Sequence, residues 1–157
     1  MKLLIPLISF FLLLGCSSDS EPIPPIMPYS YSTDVNRNEV DLIERVNNYR
    51  VVNGLTPLQS VEHIGYLCSK HNQNMIETGM IGNQNFEERI HNLKLTMNAT
   101  KVSELIGYNY TTNQSVITSF LASPPCKKIL DESDKSRIGV AINISSGRKY
   151  YTLIFIN

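Results

Sequence analysis

The chain reads as an α+β domain, and three observations lead there. Apolar residues recur at helical spacing through most of residues 38–122, they switch to alternation in residues 138–155, and Ser123-Pro124-Pro125 stands between the two regimes. With 157 residues and 42% hydrophobic content, the chain suits a single domain around one core. Lys and Arg number 14 and so do Asp and Glu, so there is no basic surface of the kind that attracts phosphates, and nucleic acid is not expected as a partner.

The first fifteen residues have the layout of a signal peptide: Lys2 gives the positive start, Leu3 to Leu14 an apolar stretch, and Gly15-Cys16 a small-residue cleavage point. The apolar run is too short to span a bilayer comfortably as a permanent helix. Leu13-Leu14-Gly15-Cys16 resembles the bacterial lipobox, which implies that Cys16 takes a thioether-linked diacylglycerol and becomes the mature N-terminus, with the membrane as partner. Residues 16–37, with Pro22, Pro24, Pro25 and Pro28 and few core-forming residues, read as a tether. The Ser and acidic residues after Cys16 resemble the export signals of surface-exposed lipoproteins in some Gram-negative bacteria. The expected location is therefore the bacterial cell envelope, extracytoplasmic and lipid-anchored, at the outer membrane. Behind a lipobox, the four N-x-Ser/Thr triplets starting at Asn98, Asn109, Asn113 and Asn143 are read as chance.

The domain is expected over residues 38–157. Leu42, Ile43, Val46, Tyr49 and Val52 lie at helical spacing and Gly54 follows where a helix C-terminus favours positive φ. Ser60 suits the N-cap of a second helix with Val61, Ile64, Leu67, Cys68, His71 and Met75 on one stripe and Gly79 as its end. A third helix is expected from Asn85, with Glu88 completing a capping-box pattern and Phe86, Ile90 and Leu93 inward. Val102 to Tyr110 fits a strand. A fourth helix is expected from Ser115, built on Val116, Ile117, Phe120 and Leu121 and stopped by Pro124-Pro125, with Cys126 just past the break. The end is a hairpin: Ile138, Val140, Ile142 and Ile144 alternate, Ser145-Ser146-Gly147 turns, and Tyr151, Leu153 and Phe155 return.

These pieces, in order, resemble the CAP superfamily, also called SCP-like, in its short bacterial secreted form. Asn47, Arg50, Gly54, Leu55, Pro57 and Leu58 carry the first part of the likeness. His71, Met75 and Asn85-Phe86-Glu87-Glu88-Arg89 carry the second. Glu104, Ser123-Pro124, Gly139-Val140, Tyr151-Thr152 and Phe155 complete it. The resemblance implies an α-β-α sandwich with a small antiparallel sheet between helical layers. It also implies a cavity that, in complete members, holds a divalent metal between two histidines and acidic residues. Here Asn83 and Cys126 stand where the histidines are expected, Ser103 and Leu105 replace the neighbours of the acidic residue, and Glu104 is retained.

The residues left for a site are therefore Asn83, Glu104, Tyr108 and Cys126, with Tyr110 nearby, lining a ligand cavity without a metal or cofactor. The expected role is a non-enzymatic binding or interaction module for a small-molecule, lipid or protein ligand. Two alternatives accompany it. Cys126, His71 and Glu104 are the residue types of a nucleophile, its base and an orienting acid, as in a thiol-dependent hydrolase, and some family members bind lipids. An oxidising compartment also permits a disulfide between Cys68 and Cys126, which would remove that nucleophile. Glu104 in an apolar run needs backbone donors or an arginine, with Arg50 as one candidate partner. His63 and His91 are expected on solvated helix surfaces, and Lys127-Lys128 as an exposed basic turn.

Overall fold

The structure, a computed structural model, describes the backbone from Thr33 and the side chains from Arg37 through Asn157. The signal segment 1–15, Cys16 and most of the tether 16–37 lie outside the described residues. Nine elements follow: α1 (Thr33–Val52), β1 (Gln59–Ser60), α2 (Glu62–Thr78), α3 (Phe86–Met97), β2 (Val102–Tyr108), α4 (Asn113–Ala122), α5 (Pro124–Leu130), β3 (Arg137–Ser145) and β4 (Arg148–Ile156).

The sheet runs β1-β3-β4-β2. Its three long strands are antiparallel, as expected, but β1 pairs with β3 in parallel, which makes the sheet mixed. The expected alternation in the hairpin does not survive as an inside and an outside. In β4 every residue from Tyr150 to Ile156 is buried, because helices cover both faces. On one face Leu42 and Val46 of α1 and Val116 and Phe120 of α4 pack with Leu105, Leu153 and Phe155. On the other, Ile64, Leu67 and Cys68 of α2 and Leu93 of α3 pack with Ala141, Ile154 and Ile156. This is the α-β-α layering of the fold.

Two contacts set the layer spacing. A Cβ on Gly139 would lie 2.3 Å from the Gly65 nitrogen and 2.5 Å from Ile64 Cβ, so α2 rests directly on the β3 backbone. Two turns further on, Asn72 Nδ2 donates to Ala141 O and Asn143 Oδ1, while its own oxygen accepts from Thr152 Oγ1 at 2.6 Å. On the outer edge of β3, beyond the end of β1, the Ile142 amide donates to the Glu39 carboxylate of α1 at 3.0 Å.

Several boundaries differ from expectation, each for a local reason. The first helix starts at Thr33, ahead of residue 38, the expected start of the domain. Ser60 is not a cap: it belongs to β1, and Val61 takes the N-cap position while its amide bonds Ile138 O. Asn85 caps nothing with its side chain, because it adopts the left-handed conformation at φ 57°, so the capping box with Glu88 does not form. The box appears instead at α4, where Thr112 and Ser115 exchange bonds. Cys126 lies inside a helix rather than past one. Pro124 and Pro125 begin α5, at positions whose missing N–H groups have no intrahelical acceptor.

Arg50 is fully buried and spends its guanidinium on backbone carbonyls: Thr56 (2.9 Å), Leu130 (2.9 Å), Glu132 (3.0 Å) and Lys135 (3.4 Å). It joins α1 to the last turn of α5 and the loop after it. Its role as a partner of Glu104 is thereby corrected.

Candidate functional site

Glu104 lies in the middle of β2 and is 6% exposed. A carboxylate buried this far needs donors, and they come from the α2–α3 loop and α3. Arg89 grips it bidentately, Nε to Oε2 and Nη2 to Oε1, both at 2.6 Å, while Asn83 Nδ2 donates to Oε1 at 3.0 Å. The third guanidinium nitrogen donates to Gln84 O at 2.8 Å, and the Phe86 ring lies 5.7 Å from the guanidinium carbon. The planar fork of arginine matches a carboxylate edge, so a single residue engages both oxygens.

His71 lies on α2 within reach of the same charges. Its Nε2 is 2.7 Å from Gly82 O, and because a carbonyl only accepts, this nitrogen carries the proton. Burial, and next the positive charge of Arg89, push its pKa below the ordinary 6.5, with Glu104 and the Gly82 bond opposing. Cys68, one turn earlier, donates to Gly139 O at 3.3 Å. Burial, followed by the Glu104 charge, raises its thiol well above the usual range, which makes it a poor nucleophile.

The strand's two-residue period then separates what the sequence places close together. Leu105 belongs to the core on the α1–α4 side, and Cys126 packs against that same core, so Cys126 and Glu104 are on opposite faces of the sheet. The nucleophile, base and acid of the hydrolase reading are consequently not assembled. The disulfide is corrected too: Cys68 and Cys126 are both free and belong to different cores. Tyr108 shares the face of Glu104, but it stands four residues along β2, roughly 13 Å away. There it meets the Tyr150 ring at 5.1 Å and accepts from Arg148. Tyr110 turns the other way, its ring against Tyr151 and its hydroxyl 2.6 Å from Ser119. Of the four expected cavity residues, Asn83 and Glu104 touch, Tyr108 lies apart on the same face, and Cys126 lies across the sheet.

The donor set does not fit a metal. Among the described residues no three His, Cys, Asp or Glu side chains come together to hold one. Both oxygens of Glu104 are engaged, and the His71 nitrogen nearest the loop is a donor. His63 is partly buried rather than solvated, lying 3.0 Å from Asn92 Oδ1 and 3.3 Å from Thr96 Oγ1, so it links α2 to α3, whereas His91 is exposed. Lys127 and Lys128 are exposed, with Lys127 paired to Asp131. The sequence reading missed Arg89 as the partner of Glu104, although Arg89 belongs to the stretch that carried the resemblance. It also missed the bond from His71 to Gly82, for which the sequence has no signal.

No family model and no curated protein matches the chain. Solved structures do match. An outer surface protein from Borrelia burgdorferi superposes with a TM-score of 0.72 at 17% identity, over 81% of this chain and 97% of that one. A cysteine-rich secretory protein from Staphylococcus aureus subsp. aureus Mu50 gives 0.68 at 18% identity, over 80% of this chain and 40% of that one. An extracellular protein containing a SCP domain from Bacillus anthracis str. Ames gives 0.67 at 17% identity, over 81% and 44%. The chain therefore spans less than half the length of the last two and nearly all of the first. The fold is CAP-like.

Proposed function

We propose that this is the extracytoplasmic domain of a lipid-anchored cell-envelope protein, and that the domain is a non-enzymatic binding or interaction module that has lost the family's metal-binding histidines. The observation that carries the reading is the closure of Glu104. The carboxylate that would serve a metal or a general base is held on both oxygens by Arg89 and Asn83. The two positions expected to be histidines are Asn83, which is one of those donors, and Cys126, which faces the opposite core. Among the described residues, these engagements argue against a ligand set or an activated nucleophile at Glu104.

The location is supported by the lipobox-like Leu13-Leu14-Gly15-Cys16 and by the three similar structures, which are surface, secretory or extracellular proteins. No described helix is long and apolar enough to cross a membrane. Two measurements test the reading. Zinc titrated into the purified domain should give no stoichiometric tight binding, and a tight one-to-one site would overturn the metal-free assignment. The intact mass of detergent-extracted protein should show a diacylglycerol-bearing N-terminus at Cys16, and an unmodified N-terminus would overturn the anchor. Organic extraction of the purified domain distinguishes a lipid ligand from a protein one.

A further inference from the structure

The end of the domain at which α1 begins is built by three elements that hydrogen bonds hold together. α1 runs antiparallel to β3: Arg50 donates to Lys135 O just before that strand, and Glu39 accepts from the Ile142 amide near its end. Thr33 lies six residues before Glu39, about 9 Å along the helix, which brings the start of α1 to the level of the β3–β4 turn. Asn113 at the start of α4 donates to Asn38 O, and Lys149 behind the turn donates to Thr111 O. Arg37 and Arg148 are exposed here and Lys149 is partly so. The described carboxylates at this end are engaged, Glu39 by the Ile142 amide and Asp41 by Arg45 and Asn113. From residue 105 onward the only acidic residues are Asp131, Glu132 and Asp134, in the loop before β3 at the opposite end.

At the tip, Ile144 is 61% exposed and stands opposite Lys149 across the hairpin, while Arg148 donates to the Tyr108 hydroxyl. An exposed aliphatic side chain beside cations and a tyrosine suits a surface that rests on lipid headgroups. The aliphatic group enters the apolar boundary, the tyrosine fits the interface, and the cations meet anionic lipid. We propose that this end of the domain docks on the anionic headgroups of the membrane that holds the anchor, with Ile144 as the inserted side chain and Arg148 and Lys149 as its electrostatic partners. The proposal rests on the lipid-anchored reading above. Residues 17–32 separate Cys16 from α1 and reach at most about 55 Å, so docking is intramolecular, and a contact too weak to recruit a free protein suffices to orient a tethered one. The chain from the anchor enters the domain at the end that docks, so it need not pass around the molecule. The acidic loop 131–134 then faces away from the membrane.

The chain has no tryptophan, so Ile144→Trp places a single fluorophore at the tip, and Val52→Trp, at a position 86% exposed at the far end of α1, serves as control. Each detergent-extracted, lipidated protein is reconstituted on vesicles of phosphatidylcholine alone or mixed equally with phosphatidylglycerol, with and without brominated acyl chains. Flotation reads the anchor and should be the same on both. On the mixed vesicles the emission of Ile144→Trp should move to the blue and be quenched by bromine, and raised salt should reverse both changes. Adding Arg148→Gln and Lys149→Gln should lower the ratio of docked to undocked protein roughly tenfold or more. Val52→Trp should show neither change. Flotation without a blue shift of Ile144→Trp, a shift that is the same on neutral vesicles, or equal quenching of Val52→Trp would overturn docking while leaving the anchor intact. Failure to float on either vesicle would overturn the anchor, and docking with it. If the triple variant does not fold, the salt and lipid dependence of Ile144→Trp still decides.

Discussion

Arg89 and Glu104 meet edge to edge, two nitrogens on two oxygens at 2.6 Å each, with side chains only 9% and 0% exposed. The pair ties α3 to β2. Removing one partner leaves the other as an uncompensated buried charge, so Arg89→Ala should cost about 3–5 kcal/mol. Replacing both by leucine should cost less than the sum of the single changes. A double-mutant cycle in urea checks this, and additive effects would mean that the two charges do not depend on one another.

Arg50 is the second buried guanidinium, and its partners are carbonyl oxygens rather than a carboxylate. Arg50→Met keeps much of the volume but leaves those acceptors without their donors. We expect a loss of about 3 kcal/mol or more, with Arg50→Lys recovering only part, because an ammonium cannot span the same fork. Equilibrium denaturation of both variants gives the comparison.

At Gly139 the prediction concerns space alone. A methyl group there collides with the Gly65 and Ile64 backbone, whereas one at Gly107 would come no nearer than 3.2 Å to Tyr151 Cβ. Gly139→Ala should therefore lower stability by about 1–3 kcal/mol or more, and Gly107→Ala by clearly less. Similar losses for the two would refute the direct seating of α2 on β3.

The two described cysteines should differ in reactivity. Cys126 is partly exposed on α5, while Cys68 is 0% exposed and its thiol is held in the protonated form. Iodoacetamide should label Cys126 in the folded domain and Cys68 only at the rate of unfolding. Equal labelling rates would contradict the burial of Cys68, and a mass two units low under non-reducing conditions would contradict the absence of a bridge.

Much of the fold is legible in the sequence because helical and alternating patterns are local. Leu42 and Val46, or Ile64, Leu67 and Cys68, announce the buried side of a helix without reference to anything else. The misread boundaries are those where a neighbour decides. Ser60 has the chemistry of a cap, but its backbone is recruited by β3. Asn85 has it too, but left-handed backbone takes the side chain out of place. The site was harder to read for a similar reason. Glu104 and Cys126 become opposed only once it is settled which helices cover which face of β2, and no short stretch of sequence contains that choice. Arg50 and Arg89 illustrate the same point, since either could have satisfied Glu104 and only the packing of α3 decides.

The bond from the Glu39 carboxylate to the Ile142 amide has a consequence beyond the single molecule. Where β1 stops, the outer edge of β3 would otherwise offer a donor to any extended chain passing by. With that donor occupied from within, a neighbouring copy would have to displace a largely buried carboxylate before adding a strand there. Copies crowded side by side can then collide along this edge without templating one another, which gives the domain a measure of resistance to aggregation that its apolar strands alone would not provide.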